Sequence, residues 1–135
     1  MDGNDMILLT SAGGKTGRAI ISTFAAAGEK VRAVMRRGDA DAELLALGAA
    51  EVVQADLMDA AAIAGAASGC RAIYYICPNM TEHEQTLGGN IIAAAKAADV
   101  RRLVFHSVLH TQVQALQHHW NRLFVEEAII ESGVP

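Results

Sequence analysis

The sequence predicts an α/β domain whose doubly wound parallel sheet is covered by helices on both faces. Three observations carry that expectation. Short, nearly continuous apolar runs alternate with helical patterns along the 135 residues, as parallel strands joined by crossover helices require. Gly28, Gly48 and Gly69 each fall just past a helical pattern, where a left-handed cap is expected. The first apolar run ends in a small-residue turn, Ser11-Ala12-Gly13-Gly14-Lys15-Thr16-Gly17, which opens at once into a helical pattern.

The elements follow in order. Strands are expected at 6–10, 30–35, 51–54, 72–76 and 102–107, and helices at 16–27, 41–47, 60–67, 84–99 and from about 113 to 132. Right-handed crossovers then give the strand order 3-2-1-4-5. By length the whole of 1–135 is one domain, large enough to bury a core. Hydrophobic residues make up 52% of the chain but aromatics only 4%. The excess is alanine, suited to helices packed closely on a flat sheet. The sequence stops at Ser132-Gly133-Val134-Pro135, where a sixth strand is expected. It therefore reads as truncated before that strand, leaving the fifth as an apolar sheet edge.

Composition excludes several function classes. The net charge is −4 and the longest basic runs are the pairs Arg36-Arg37 and Arg101-Arg102, which argues against nucleic acid as a partner. No apolar stretch reaches the ~18 residues of a membrane span. Cys70 and Cys77 lack metal-ligand spacing and read as buried thiols in a reducing cytoplasm. His118 and His119 diverge by about 100° on a helix, and no acidic or histidine partner at i,i+4 completes a metal site for His118.

The glycine turn carries the first chemistry. A strand feeding a tight turn and a helix N-terminus presents unpaired N–H groups and a positive dipole end to an anion. Gly14 and Gly17 are three apart, and Ser11 occupies the place of a first glycine in G-x-x-G-x-x-G. In that pattern the three positions serve a tight turn, close backbone approach to pyrophosphate and close helix packing. Ser11, Gly13, Gly14, Lys15, Thr16 and Gly17 are thus candidate dinucleotide ligands. A nucleotide-triphosphate loop would need glycine at position 9, which is Leu9.

Arg36 stands nineteen residues after Gly17, at the end of the second strand. That strand end faces the adenosine ribose in this topology. A guanidinium there pairs with a 2′-phosphate where a carboxylate would accept from a 2′-hydroxyl. Arg36, with Arg37 or Lys15 assisting, therefore predicts NADP(H) in preference to NAD(H). After the third strand, Asp56 is placed to accept from the adenine amino group and Leu57 to pack on the ring; Asp59 is the expected N-cap of the next helix. Cys77 and Pro78 close the fourth strand at the crevice where cofactors sit, Pro78 ending the pairing. On the fifth helix His118, Arg122, Val125 and Ile129 share one face, and Val113, Leu116, Trp120, Leu123 and Ile130 another. A helix apolar on two sides is covered twice, by its own sheet and by a second copy of the chain.

With these motifs in place the chain resembles the NmrA-like group of atypical short-chain dehydrogenases/reductases. The residues that carry the resemblance are 10–18, 31–37, Ala55-Asp56-Leu57, Phe105-His106-Ser107-Val108, His118-His119-Trp120-Asn121-Arg122, Glu126-Glu127 and 131–135. The resemblance implies a Rossmann-like NAD(P)-binding domain, followed in the family by a smaller C-terminal substrate part that this sequence lacks. The family's reductases set a serine and a Tyr-x-x-x-Lys pair beside the nicotinamide. Ser107 matches the serine, His118 the tyrosine and Arg122 the lysine, which makes these the candidate catalytic residues. Histidine can deliver a proton near neutral pH; arginine can hold a ribose but does not titrate. The resemblance implies NADPH-dependent reduction of a quinone, carbonyl or azo acceptor. For members that act as redox sensors it implies cofactor binding without turnover and a protein partner.

Overall fold

A computed structural model describes residues 5–135. Five parallel strands, β1 (Met6–Leu9), β2 (Lys30–Met35), β3 (Glu51–Gln54), β4 (Cys70–Ile76) and β5 (Arg102–His106), form one sheet in the order β3-β2-β1-β4-β5. Five helices connect and cover them: α1 (Lys15–Ala26), α2 (Asp41–Leu47), α3 (Ala60–Ala67), α4 (Glu84–Ala97) and α5 (Gln117–Ser132), with a single 3₁₀ turn at Gly38–Ala40. The expected topology is the observed one. Side chains leave a strand to alternate faces, and the core divides accordingly. Leu8, Ile73 and Tyr75 pack with α3, α4 and α5, whereas Leu9, Val31 and Ala33 pack with α1 and α2.

Local chemistry sets the element ends. Asp59 caps α3, its Oδ1 accepting from the Ala62 N–H at 3.0 Å. Gly28, Gly48 and Gly69 all take the left-handed conformation expected past a helix. Several element ends shift by one or two residues from the sequence reading, and the starts of two elements differ for identifiable local reasons. The strand β4 begins at Cys70 rather than at 72, because Cys70 already pairs with Met6 across an irregularity in the ladder. The helix α5 begins at Gln117 rather than near 113. Separate turns at Val113 N–H to His110 O (3.3 Å) and Leu116 N–H to Val113 O (3.1 Å) occupy the backbone there, and Thr111 is drawn aside to Glu126 (3.3 Å).

The late start of α5 removes Val113 from the outer apolar stripe and leaves Leu116 as the cap. What remains on that face is Trp120, edge-on to Phe124 at 5.4 Å between ring centres, together with Leu123 and with Ile130, which is 80% exposed. The opposite face packs against α4 tightly at Gly88, where an added Cβ would stand 2.8 Å from Val125 Cγ1. At the outer edge of β5 the Leu103 N–H donates to the Pro135 carbonyl (2.7 Å). No helix among the described residues is long and apolar enough to cross a membrane.

Candidate functional site

The carboxyl ends of the strands open onto a cleft of about 920 Å³, the place where open α/β sheets bind ligands. Its floor is fixed by the ends of β1 and β4. Thr10, fully buried, donates from Oγ1 to the Ile76 carbonyl (2.8 Å) and accepts the Ile76 N–H (2.8 Å). Ser11 Oγ donates to the same carbonyl at 2.9 Å. Ser11 has φ +49°, a left-handed conformation, so it performs the tight turn that a first glycine would make. Its side-chain hydrogen bond offsets part of the ~1 kcal/mol that such a backbone costs a non-glycine residue.

The turn then leads into α1 with its donors free. Gly14 is the N-cap, no side chain caps the helix, and no acidic residue stands in its first turn. The N–H groups at the start of α1 therefore face the cleft without an internal acceptor. Gly14 and Gly17 serve different ends. A Cβ at Gly17 would lie 2.6–2.7 Å from Ser11 O and from Ala12 Cα and O, all backbone, so this glycine lets the helix close on the turn. A Cβ at Gly14 would meet only Ser11 O, at an ordinary 3.5 Å. Gly14 lines the cleft, so that space opens onto it.

Cations surround one end. Lys15 and Arg36 line the cleft, and Arg36 also borders an adjoining side pocket of about 490 Å³ shared with Arg37 and Arg18. Arg36, Arg37 and Lys15 have no ion-pair partner among the described residues. Arg18, which the sequence reading left out, is already engaged: Nε donates to Gly13 O (2.8 Å) and Nη1 to Glu43 (2.7 Å), bracing the turn. Asp56 and Leu57 line the cleft wall after β3. Asp56 Oδ1 accepts from the Met58 N–H (2.9 Å), which leaves Oδ2 for a ligand, and Asn90 fixes the Leu57 carbonyl (2.8 Å). Three uncapped helix N–H groups, three unpaired cations and a glycine without a steric need of its own fit a polyphosphorylated dinucleotide.

At the other end Cys77, Pro78, Ser107 and Arg122 line the cleft. Burial pushes the Cys77 thiol up, and burial also pushes the Tyr75 phenol beside it up. Both keep their protons at neutral pH in the fold, which removes Cys77 as a nucleophile. Unfolding releases them to ionise, so the unfolded chain binds fewer protons above the ordinary thiol value of 9.0. The stability these groups contribute is complete below that pH and is lost as pH rises toward their raised folded values. We expect Tm to fall from about pH 9 upward, with a slope of up to ~1.4 kcal/mol per pH unit for each group. Thermal melts of Cys77→Ala over the same range should show a shallower slope; an unchanged slope would exclude this thiol as a source.

The candidate catalytic residues are divided. Ser107 faces the cleft, its hydroxyl donating to Glu126 Oε1 at 2.5 Å. Arg122, only 7% exposed, reaches the cleft from α5 with its Nε 3.5 Å from Glu84 Oε1. His118, one turn earlier, does not line the cleft; its Nδ1 stands 3.6 Å from the same Glu84 oxygen. The cleft instead contains His106, whose Nδ1 is 2.9 Å from the Tyr74 hydroxyl. Glu84 and Glu126 are the carboxylates beside these candidates; the sequence reading did not name Glu84 as a candidate, and it named Glu126 only within the family resemblance, with no role.

Comparison with known proteins agrees with this geometry. The profile of the NmrA-like family matches residues 3–135. Quinone oxidoreductase 2 of Escherichia coli is 29% identical over 131 residues, 96% of this chain and 46% of that protein. A (4-alkanoyl-5-oxo-2,5-dihydrofuran-3-yl)methyl phosphate reductase of Streptomyces griseus is 35% identical over 133 residues, again 96% of this chain and 45% of that protein. The chain thus spans about half the length of the curated relatives it matches. The crystal structure of the E. coli NADPH-dependent quinone oxidoreductase in complex with NADPH superposes with a TM-score of 0.82 at 30% identity, covering 96% of this chain and 46% of that one. The triphenylmethane reductase of Citrobacter sp. with NADP(H) has a TM-score of 0.81 at 20% identity, covering 96% and 47%, a likeness of fold.

Proposed function

Because this chain belongs to the NmrA-like family, we propose that it binds NADP(H) in the cleft and serves as the cofactor domain of an oxidoreductase acting on a quinone-like or carbonyl acceptor. One observation carries the reading: the unpaired Arg36 and Arg37 beside an uncapped, glycine-lined helix N-terminus. When bound, NADPH supplies a hydride. Ser11, Gly13, Gly14, Lys15, Thr16 and Gly17 would hold its pyrophosphate, Arg36 and Arg37 its 2′-phosphate, and Asp56 and Leu57 its adenine. Cys77 and Pro78 would border the nicotinamide side. The E. coli relative and its NADPH complex support both the cofactor and the acceptor class.

At the far end Ser107 and Arg122 are the groups that would touch the acceptor. The Ser107 proton is engaged by Glu126, so Arg122 is the free donor toward an oxygen on which charge develops. His118 is the titratable group behind it. Its distance from the cleft favours a second reading, in which the chain binds the dinucleotide and reports redox state to a protein partner without turnover. The outer face of α5 is the surface we assign to a second copy of the chain.

Continuous NADPH oxidation, followed at 340 nm with a benzoquinone as acceptor, separates the two readings. We expect turnover that depends on the quinone, with NADPH favoured over NADH. Binding of NADPH with no oxidation in the presence of quinones or other carbonyl acceptors would leave the sensor reading in its place.

A further inference from the structure

Glu84 is the first residue of α4 and is 1% exposed. A carboxylate sealed from water carries a large desolvation cost unless a positive charge faces it. Arg122 supplies that charge from α5, 38 residues away, Nε to Oε1 at 3.5 Å. The dipole at the start of α4 adds to it. The meeting is enforced by packing, since the next turn of each helix interlocks Gly88 with Val125. The contact is made through Nε alone. No described residue takes the two terminal guanidinium nitrogens, and neither is sealed from solvent. Arg122 is itself almost buried, and the cleft is what it lines.

We propose that Glu84 is a positioning residue, anchoring the Arg122 guanidinium by its Nε edge so that its terminal N–H groups face the end of the cleft opposite Arg36. The inference rests on the cofactor reading above and adds a division of labour within it. The sheet order sets Arg36, after β2, and Arg122, beyond β5, at opposite ends of the crevice. At the Arg36 end Lys15, Arg36 and Arg37 have no ion-pair partner among the described residues and suit phosphate. At the Arg122 end Glu84 balances the guanidinium, so that end suits a neutral oxygen acceptor: a carboxamide, a ribose hydroxyl or a quinone carbonyl. Freed from Glu84, the guanidinium would turn about its long side chain and lose that aim.

Two ligands divide the cleft for a test. Adenosine 2′,5′-bisphosphate carries the 2′-phosphate half alone, and NADPH carries both halves. Affinities of both are measured by calorimetry for the wild-type chain and for Glu84→Gln, Arg122→Ala and the double variant, with circular-dichroism melts to establish folding. We expect Glu84→Gln to weaken NADPH about tenfold and leave the bisphosphate unchanged, and the double variant to bind NADPH no worse than Arg122→Ala alone. Should Glu84→Gln fail to fold, Arg122→Lys, which keeps the charge and loses the fork, is expected to give the same selective loss. A parallel loss of both ligands, an unchanged NADPH affinity, or additive losses in the double variant would each overturn the role of Glu84 while leaving the cofactor reading intact. A wild-type chain that binds neither ligand would overturn both.

Discussion

Gly17→Ala will destabilise the chain by about 3 kcal/mol and lower its Tm by ~10 °C. The methyl group would stand 2.6–2.7 Å from Ser11 O and from Ala12 Cα and O. None of the three is the end of a flexible side chain, so relief requires α1 to move off the turn. That movement breaks two things together. It opens the packing of Ile21, fully buried on the same helix, and it displaces the uncapped N–H groups that face the cleft. Gly14→Ala is the control. Its methyl meets protein at an ordinary 3.5 Å and its backbone, φ −74° and ψ 170°, suits alanine. We expect that variant to melt with the wild type and to bind NADPH at least tenfold more weakly, because the space it fills belongs to the ligand. Thermal melts and NADPH titrations of the pair separate the two glycines. Equal Tm values for Gly17→Ala and wild type would mean that helix and turn are not packed as closely as described.

The same two glycines mark what the sequence made legible. A turn chemistry tied to one backbone conformation can be read locally, and Ser11, in the left-handed region, does what its place in the pattern demanded. The strands were legible for a similar reason: each is a short apolar run bounded by turn residues, and parallel order follows from the helices between them. Asp59 could be assigned because a cap is a local hydrogen bond. The residues that escaped are those whose meaning lies in a distant partner. Glu84 at the head of a helix reads as a solvent-facing charge favourable to the dipole; nothing nearby says that Arg122 will bury it. Glu126 likewise belongs to Ser107, nineteen residues earlier, across a loop. His118 shares a helical face with Arg122, yet face alone does not fix depth. One turn along the axis is ~5.4 Å, enough to separate a residue that enters the cleft from one that stands behind it.

At the opposite end of the cleft, Arg36→Asp will reverse the nucleotide preference. The guanidinium is exposed, has no ion-pair partner among the described residues, and borders both the cleft and the side pocket. A hydrogen bond to a charged group contributes about 1.5–3 kcal/mol, and 1.4 kcal/mol is tenfold in affinity. Removing that bond and placing a like charge beside the 2′-phosphate should weaken NADPH by ~100-fold. NADH, with a hydroxyl in that place, should bind the variant no more weakly than the wild type, since a carboxylate accepts from a 2′-hydroxyl. Arg37 borders the side pocket and not the main cleft, so Arg37→Ala should cost less than Arg36→Ala. The preference of the wild type should also shrink as salt rises, because an exposed guanidinium–phosphate pair is screened over ~10 Å at 0.1 M. Titration of both nucleotides at low and high salt checks every part. If the wild type binds NADH as tightly as NADPH, Arg36 is only a solvated charge at a strand end. If it discriminates and Arg36→Asp keeps the full preference for NADPH, the 2′-phosphate is held elsewhere, and Lys15 at the head of α1 is the other cation lining the cleft without an ion-pair partner among the described residues.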